Sequence, residues 1–250
     1  MVVDRARRVH RELESLRSDV ASMLHEVSGQ VRLGCIGTAS RWLLPNLLRL
    51  MAERHPHVQV VIVDATTTSL VPQVVSGSLD LAVVNLPLAD SDLATEPLFD
   101  EQRILAVPFA HPLANREHVE LADLAEHELL LEPRGTPFRD ELDHEAARLG
   151  MEMRAQAEID GVSLLAWLAF QGYGAAILPA TAASGWIEIS CRRVAVGGLT
   201  PRSVGIAVPR RGRPSAAARA VRAVIWELVE GADQEGVQPT LTATTALGPS

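Results

Sequence analysis

The chain has 250 residues, a length typical of one or two globular domains. Its composition is 47% hydrophobic and 22% charged with only two cysteines, which excludes a disordered chain and a disulfide scaffold. The formal net charge of −8 argues against binding to DNA phosphates, and the absence of lysine excludes Schiff-base catalysis and a P-loop lysine within this chain.

A long helix is predicted over residues 3–28. Apolar residues recur along it at alternating steps of three and four, which is the seam of a coiled coil. These residues are Ala6, Val9, Leu13, Leu16, Val20, Met23 and Val27. We expect the seam, residues 6–27, to pair with another helix in a homodimer or tetramer; packing on its own domain is the alternative. Ser28 and Gly29 end the helix.

A first block of alternating strands and helices follows. Continuous runs of β-branched residues separated by amphipathic helices are typical of parallel βαβ units covered on both faces. The predicted strands are Gln30–Ile36, Val58–Val63 and Leu79–Val84, and the predicted helices are Thr38–Arg54 and Thr67–Gly77.

The same pattern restarts after a predicted strand at Ile104–Pro108. Its predicted strands are Leu129–Leu131, Arg154–Glu158 and Ala175–Leu178, with helices at Thr136–Leu149 and Val162–Gln171. Later elements are strands at Trp186–Ile189, Arg193–Val196 and Val204–Val208 and a helix at Ser215–Glu230. Two such blocks predict two lobes with a cleft between them, where small ligands commonly bind.

Threonines stand where predicted strands lead into helices: Thr38, the run from Thr66 to Thr68, and Thr136. A hydroxyl at this position can cap the helix. Alternatively, several helix starts that converge on one cleft present free N–H groups and partial positive charge to a small anion, most often a carboxylate. Both interpretations stay open for each threonine, and their recurrence favours a binding site for the set.

Signatures of catalysis and of metal binding are weak. The chain contains no HExxH or G-x-S-x-G motif and no dinucleotide fingerprint, and no ligand cluster accompanies His55 and His57. We therefore predict no catalytic residue, no metal and no cofactor. The stretch from Arg192 to Arg222 has eight arginines and no acid, which indicates either a solvated face or a surface for an anionic partner.

Five segments, taken in order, resemble the linker helix and effector-binding domain of LysR-type transcriptional regulators. They are VSGQVRLGCIGTASRWLLPNLLRLMAERHPHVQVVIVDAT, SGSLDLAVVN, EPLFDEQRILAVPFAHPLA, LADLAEHELLLEPRG and GVSLLAWLAFQGYGAAILPA, and the resemblance covers roughly residues 5–231. It implies an α/β fold of two Rossmann-like subdomains with type II periplasmic-binding-protein architecture, preceded by the coiled-coil linker helix. The expected division is linker 1–28, subdomain I 29–107 plus 203–231, subdomain II 108–202 and a disordered polar tail 232–250.

The resemblance also implies where a small effector would bind. By position, the expected ligand-binding residues are Thr38, Thr66, Thr67, Asn85, Pro133, Arg134, Thr136 and Gly161. Gly161 stands where many members of the family have serine, so one hydroxyl contact is expected to be absent. The two cysteines do not match the pattern of the family's peroxide-sensing branch.

The predicted function is a non-enzymatic sensor for transcription control. A small, carboxylate-bearing effector shifts the lobes or the oligomer, and the linker helix transmits the shift. The family's N-terminal winged helix-turn-helix is missing, so we expect this chain to reach DNA only through such a domain. With no apolar stretch of the ~18 residues that a membrane span needs and no secretory signal, we expect a cytoplasmic protein without a membrane partner.

Two other functions remain open at this point. One is an enzyme on the same periplasmic-binding-protein-like fold, because fold does not determine function. The other is a truncated interaction module that mixes with a full-length regulator. A catalytic group with a perturbed pKa in the cleft would favour the enzyme, and mixed oligomers would favour the interaction module.

Overall fold

The computed structural model describes residues 27–183, 190–232 and 237–239. Most of the predicted coiled-coil helix, residues 1–26, and the predicted strand at 186–189 lie outside these residues. The chain divides into two compact units. Of the described residues, unit 1 contains 27–36, 45–100, 203–232 and 237–239, and unit 2 contains 37–44, 101–183 and 190–202.

The helices of the described chain are α1 (Gly37–Arg54), α2 (Thr67–Ser76), α3 (Pro137–Arg148), α4 (Val162–Phe170) and α5 (Ala216–Glu230). Its strands are β1 (Gly29–Cys35), β2 (Val58–Asp64), β3 (Leu81–Leu86), β4 (Leu93–Glu101), β5 (Arg103–Pro108), β6 (His118–Glu120), β7 (Glu128–Leu131), β8 (Arg154–Glu158), β9 (Ala176–Pro179), β10 (Cys191–Gly197), β11 (Arg202–Pro209) and β12 (Val237–Pro239). Within this part of the chain, the predicted strands and helices are confirmed with ends displaced by at most two residues, whereas β4, β6 and β12 were not predicted. None of these helices is both long and apolar enough to cross a bilayer.

Unit 1 is built on one sheet with the strand order β12-β4-β11-β3-β1-β2. Strand β1 pairs in parallel with both β2 and β3, so the βαβ units predicted for the first block are confirmed. Strand β11 returns from the end of the chain and pairs antiparallel with β3. Helices bury apolar stripes at helical spacing, such as Leu70 and Val74 of α2 and Val221, Ile225 and Val229 of α5.

Unit 2 combines a four-stranded sheet, β6-β10-β5-β9, with the pair β7-β8. Strands β7 and β8 are parallel around α3, as predicted for the second block, and a parallel bridge from Leu129 to Ala175 places the chain before β9 beside β7. The core forms two apolar clusters, one containing Leu105 and Leu142 and the other containing Leu130 and Phe170.

The change of unit lies earlier in the chain than expected. The sequence places the start of subdomain II at residue 108, whereas unit 2 resumes at Glu101. The reason is backbone pairing: β5 makes antiparallel ladders with β9 and β10, which belong to unit 2. The first turns of α1, residues 37–44, also cluster with unit 2.

Strand β12 lies inside the segment for which the sequence predicts disorder. It adjoins β4 at the edge of the unit 1 sheet. The predicted disorder from residue 232 therefore does not extend over Val237–Pro239, because these residues pair with the sheet. Residues 233–236 and 240–250 of that segment lie outside the described part.

Candidate functional site

The carboxyl ends of parallel strands meet at one edge of the unit 1 sheet. In the parallel register of β1 and β2, Cys35 pairs with Asp64 at the last residue of each strand. Thr66 and Thr67 follow β2 and start α2, and Asn85 is the second-last residue of β3. The structure therefore brings three of the predicted site residues, Thr66, Thr67 and Asn85, to this edge.

Thr67 and Asn85 are in direct contact. The backbone N–H of Asn85 donates to the hydroxyl oxygen of Thr67 at 3.0 Å. The side-chain oxygen of Asn85 is buried and has no hydrogen-bond partner within the described residues. A buried polar atom without a partner is costly, so a ligand that donates a hydrogen bond there would remove a penalty.

The threonines at the helix starts do not cap their helices. Neither Thr66, at the N-cap of α2, nor Thr136, at the N-cap of α3, makes a side-chain cap bond, and α1 has Ile36 at its N-cap. The hydroxyl of Thr66 instead contacts those of Thr68 and Ser69 at 2.9 and 3.1 Å. Capping, the simpler of the two sequence interpretations, is therefore wrong for these positions, and side-chain caps do not occupy the backbone N–H groups at the starts of α1, α2 and α3.

Thr38 contacts a buried ion pair of unit 2. Nη2 of Arg202 donates to the Thr38 hydroxyl at 2.8 Å, and Nε of Arg202 donates to Oε1 of Glu101 at 2.6 Å. Glu101 is fully buried, and Arg202 is 11% exposed at its side chain. Burial lowers the pKa of Arg202, and the Glu101 carboxylate opposes this shift.

A second buried arginine of unit 2 is only partly satisfied. Nη2 of Arg103 donates to both oxygens of Glu141, at 2.8 and 3.0 Å, and its guanidinium carbon lies 4.5 Å from the centre of the Phe138 ring. Its Nε and Nη1 are buried without a partner in the described chain, as is the hydroxyl of Thr181. Donors and ion pairs are thus concentrated around β5 and the residues that follow β9.

The predicted loop residues Pro133, Arg134 and Thr136 have partners within unit 2. The Thr136 hydroxyl donates to the Pro133 carbonyl at 2.9 Å. Arg134 is exposed and bonds to Glu152, also exposed, at 2.6 Å. The structure therefore does not present Arg134 as a buried anion-binding residue.

A carboxylate occupies the start of α4, beside Gly161. Gly161 is the N-cap residue and has a φ of 111°, a conformation that favours glycine. The backbone N–H of Val162, the first residue of α4, interacts with the side chain of Glu132. Burial raises the pKa of Glu132, and the nearby Asp160 carboxylate raises it further, whereas Arg202 and the Val162 bond oppose the shift.

Sequence reasoning missed Glu101, Arg103, Glu132 and Arg202. A usable signal was present: Glu101 and Arg103, two residues of opposite charge, stand where β4 ends and the apolar strand β5 begins. Arg202 belonged to the stretch that the sequence assigned to a solvated face or an anionic partner. Its burial against Glu101 contradicts the solvated interpretation for this residue.

Both cysteines, Cys35 and Cys191, are free and buried. Burial raises the pKa of Cys191 to about 11, and Arg193 only partly opposes this. A thiol with so high a pKa is a poor nucleophile at neutral pH. In the described part of the chain, no three His, Cys, Asp or Glu residues are grouped so that they could hold a metal ion.

Comparison with known proteins identifies the family. A family model described as LysR substrate binding domain matches residues 25–230. The DNA-binding transcriptional dual regulator OxyR of Escherichia coli strain K12 is 31% identical over 182 residues, which cover 73% of this chain and 60% of that protein. A probable hydrogen peroxide-inducible genes activator of Streptomyces viridosporus is 34% identical over 181 residues, 71% of this chain and 57% of that protein.

Solved structures support the same fold. The effector-binding domain of QuiR in complex with shikimate has a TM-score of 0.70 and 19% sequence identity, and the match covers 81% of this chain and 98% of that one. The chain spans about 60% of the length of the curated relatives it matches. It belongs to the LysR substrate-binding-domain family and has the type II periplasmic-binding-protein-like α/β fold of the effector-binding domains of LysR-type transcription regulators.

Proposed function

We propose that this domain is a sensor that binds a small anionic effector, a carboxylate, without changing it chemically. One observation carries the proposal: the uncapped start of α2 lies beside Thr67 and beside the buried, unpartnered amide oxygen of Asn85. Free N–H groups at a helix start favour an anion. The Asn85 oxygen needs a donor, so a carboxylic acid that also bears a hydroxyl group suits this edge best.

Thr38 is the second contact in this proposal. It lies in the first turn of α1, whose N-cap residue Ile36 offers no side-chain oxygen. Its hydroxyl is buried and accepts a hydrogen bond from Arg202. The shikimate in the QuiR effector-binding domain is a carboxylate with hydroxyl groups, which makes it a suitable first probe here.

Thiol chemistry is the competing function, because the curated relatives are named for induction by hydrogen peroxide. In this chain both cysteines are buried, and Cys191 has a pKa of about 11. Peroxide sensing needs an accessible thiolate. These features support reversible effector binding over cysteine oxidation.

The regulatory part of the proposal concerns the oligomer. We expect the effector to bind one arrangement more tightly than another and so to shift the population, because a ligand with equal affinity for both would change nothing. Pairing through residues 6–27 and DNA contact through a winged helix-turn-helix are further proposals. Light scattering of the chain with and without effector tests whether the effector shifts the oligomer. The same mass in both states would contradict ligand-dependent assembly.

Thermal unfolding with a panel of carboxylic acids tests the proposal. The panel contains shikimate, citrate and benzoate, each matched with its amide or with an amine analogue. A binder should raise the melting temperature in proportion to the logarithm of its concentration. Asn85→Ala should reduce this shift, whereas the exposed Thr68→Val should preserve it. The proposal fails if no acid stabilises the chain, or if Asn85→Ala binds as the parent does.

The absence of catalysis needs its own test. The family is one of transcription regulators. We expect an acid that stabilises the chain to be recovered unchanged by NMR after prolonged incubation. Conversion of the bound acid would favour the enzyme alternative.

A further inference from the structure

Arg202 and Glu101 lie at the two ends of the long segment of unit 2. Glu101 is the first residue of the long segment of unit 2, and Arg202 is its last. Nε of Arg202 donates to Oε1 of Glu101 at 2.6 Å, and Nη2 contacts the same oxygen. The other carboxylate oxygen, Oε2, accepts the backbone N–H of Thr181 at 2.9 Å. Both members of the pair are therefore held in place from more than one side.

The same guanidinium determines how the hydroxyl of Thr38 can be used. A threonine hydroxyl has one hydrogen and two lone pairs, whereas arginine can only donate. Nη2 of Arg202 donates to the Thr38 hydroxyl at 2.8 Å, so this contact uses one lone pair of the hydroxyl oxygen. The hydroxyl hydrogen is left to donate to another group. Thr38 is 3% exposed, and within the described residues its hydroxyl hydrogen finds no acceptor.

We propose that Arg202 is a positioning residue that makes Thr38 a hydrogen-bond donor, so that the effector must place an acceptor oxygen at Thr38. The inference rests on the proposed function, in which Thr38 contacts the effector. Glu101 holds the guanidinium in this role, because an Arg202 side chain without its carboxylate would no longer be directed toward Thr38. The arrangement selects against a ligand whose only group at this point is an ammonium or another donor.

Affinity measurements on variants of the full chain test the inference. The probe is whichever acid of the panel, beginning with shikimate, stabilises the parent chain. Arg202→Met and Thr38→Val should each weaken binding of the acid by about fivefold or more. Because both act through the same contact, the double variant should bind the acid no less tightly than the single variant with the larger loss. Thr38→Ser keeps a hydroxyl and should bind within about twofold of the parent.

Two controls separate positioning from general damage. Arg202→Met leaves the Glu101 carboxylate buried and without its arginine. The double variant Arg202→Met with Glu101→Gln removes both charges and so protects the fold. Arg222→Met breaks an arginine–glutamate pair elsewhere, in unit 1, where Nη2 bonds Glu96 at 2.5 and 2.6 Å. Arg222→Met should lower stability without changing the affinity for the acid.

The outcomes are distinguishable. Non-additive losses for Arg202 and Thr38, with rescue by serine and reduced preference for the acid over its amine analogue, support the inference. If the acid binds and Asn85→Ala weakens it, but the Arg202 variants bind as the parent or their losses add to that of Thr38→Val, the inference is overturned and the proposed function stands. If no acid binds the parent, both are overturned.

Discussion

The backbone N–H of Asn85 donates to the hydroxyl of Thr67 at 3.0 Å, although the two residues are 18 positions apart. This bond joins the end of β3 to the first residue of α2. It holds together the strand end and the helix start that the proposed effector contacts. The same bond therefore has a role in folding stability that can be measured without any ligand.

Thr67→Val should lower the free energy of unfolding by about 1–2 kcal/mol, because it leaves the part-buried N–H of Asn85 without its acceptor. Urea unfolding monitored by circular dichroism measures the change. The matched control is Thr68→Val, because the exposed Thr68 hydroxyl contacts, among the described residues, only that of Thr66, at 2.9 Å. Equal losses for the two variants would contradict the assignment.

Arg139→Met should be more damaging, with a loss of about 3 kcal/mol. Arg139 is 1% exposed, and its guanidinium bonds to Asp143, to Glu158 and to the Glu132 carbonyl at 2.9–3.2 Å. Removal leaves these acceptors unpaired, although the two carboxylates are partly solvated. Urea unfolding at pH 7 provides the measurement.

Arg134→Met is the control for Arg139→Met, in the same unit. Arg134 bonds to Glu152 at 2.6 Å with both side chains exposed, so its loss should lower the free energy of unfolding far less than the loss of Arg139 does. The same variant tests the sequence prediction that Arg134 binds the effector. A large loss of effector affinity in Arg134→Met would restore that prediction against the geometry described above.

Glu132→Gln should stabilise the protein at neutral pH. Burial, and then Asp160, raise the pKa of Glu132 in the folded protein above its ordinary value of 4.5. The protonated Glu132 therefore contributes its full stabilisation to the fold below pH 4.5, and this stabilisation is lost as the pH rises through the pKa of the folded state. Glutamine imitates the protonated form, so the melting temperature should rise by about 1–2 °C at pH 7 and not at pH 4.

Thermal unfolding across pH 4–8 measures this effect. The exposed Glu126 supplies the matched control, because Glu126→Gln makes the same substitution at the surface of the protein. A stabilisation by Glu132→Gln that is the same at pH 4 and pH 7 would show that protonation of Glu132 is not its cause.

Cys191 should react slowly with iodoacetamide in the folded protein. With a pKa of about 11, roughly one thiol in a thousand is ionised at pH 8. Mass spectrometry of the native and the urea-unfolded chain should show fast alkylation only after unfolding, because Cys35 is buried as well. Rapid labelling of the native chain, or a sulfenic acid after peroxide treatment, would favour thiol-based sensing.

The sequence by itself determined the two parallel βαβ blocks. Their strands other than β8 are runs of β-branched and apolar residues and their helices carry apolar stripes, and both patterns are local properties of the chain. Strand β4 lacks this signal, since its residues LATEPLFDE mix apolar with acidic residues and contain Pro97. Its place beside β11 joins segments about a hundred residues apart and could not be predicted from local periodicity.

Only the tertiary structure decided which atoms the site residues use. The threonines at the helix starts were predicted from position, but their partners, Asn85 for Thr67 and Arg202 for Thr38, lie 18 and 164 residues away. Arg202 looked like one more charge in a basic stretch. Its role depends on burial against Glu101, because an arginine that water solvates would not be held on one hydroxyl.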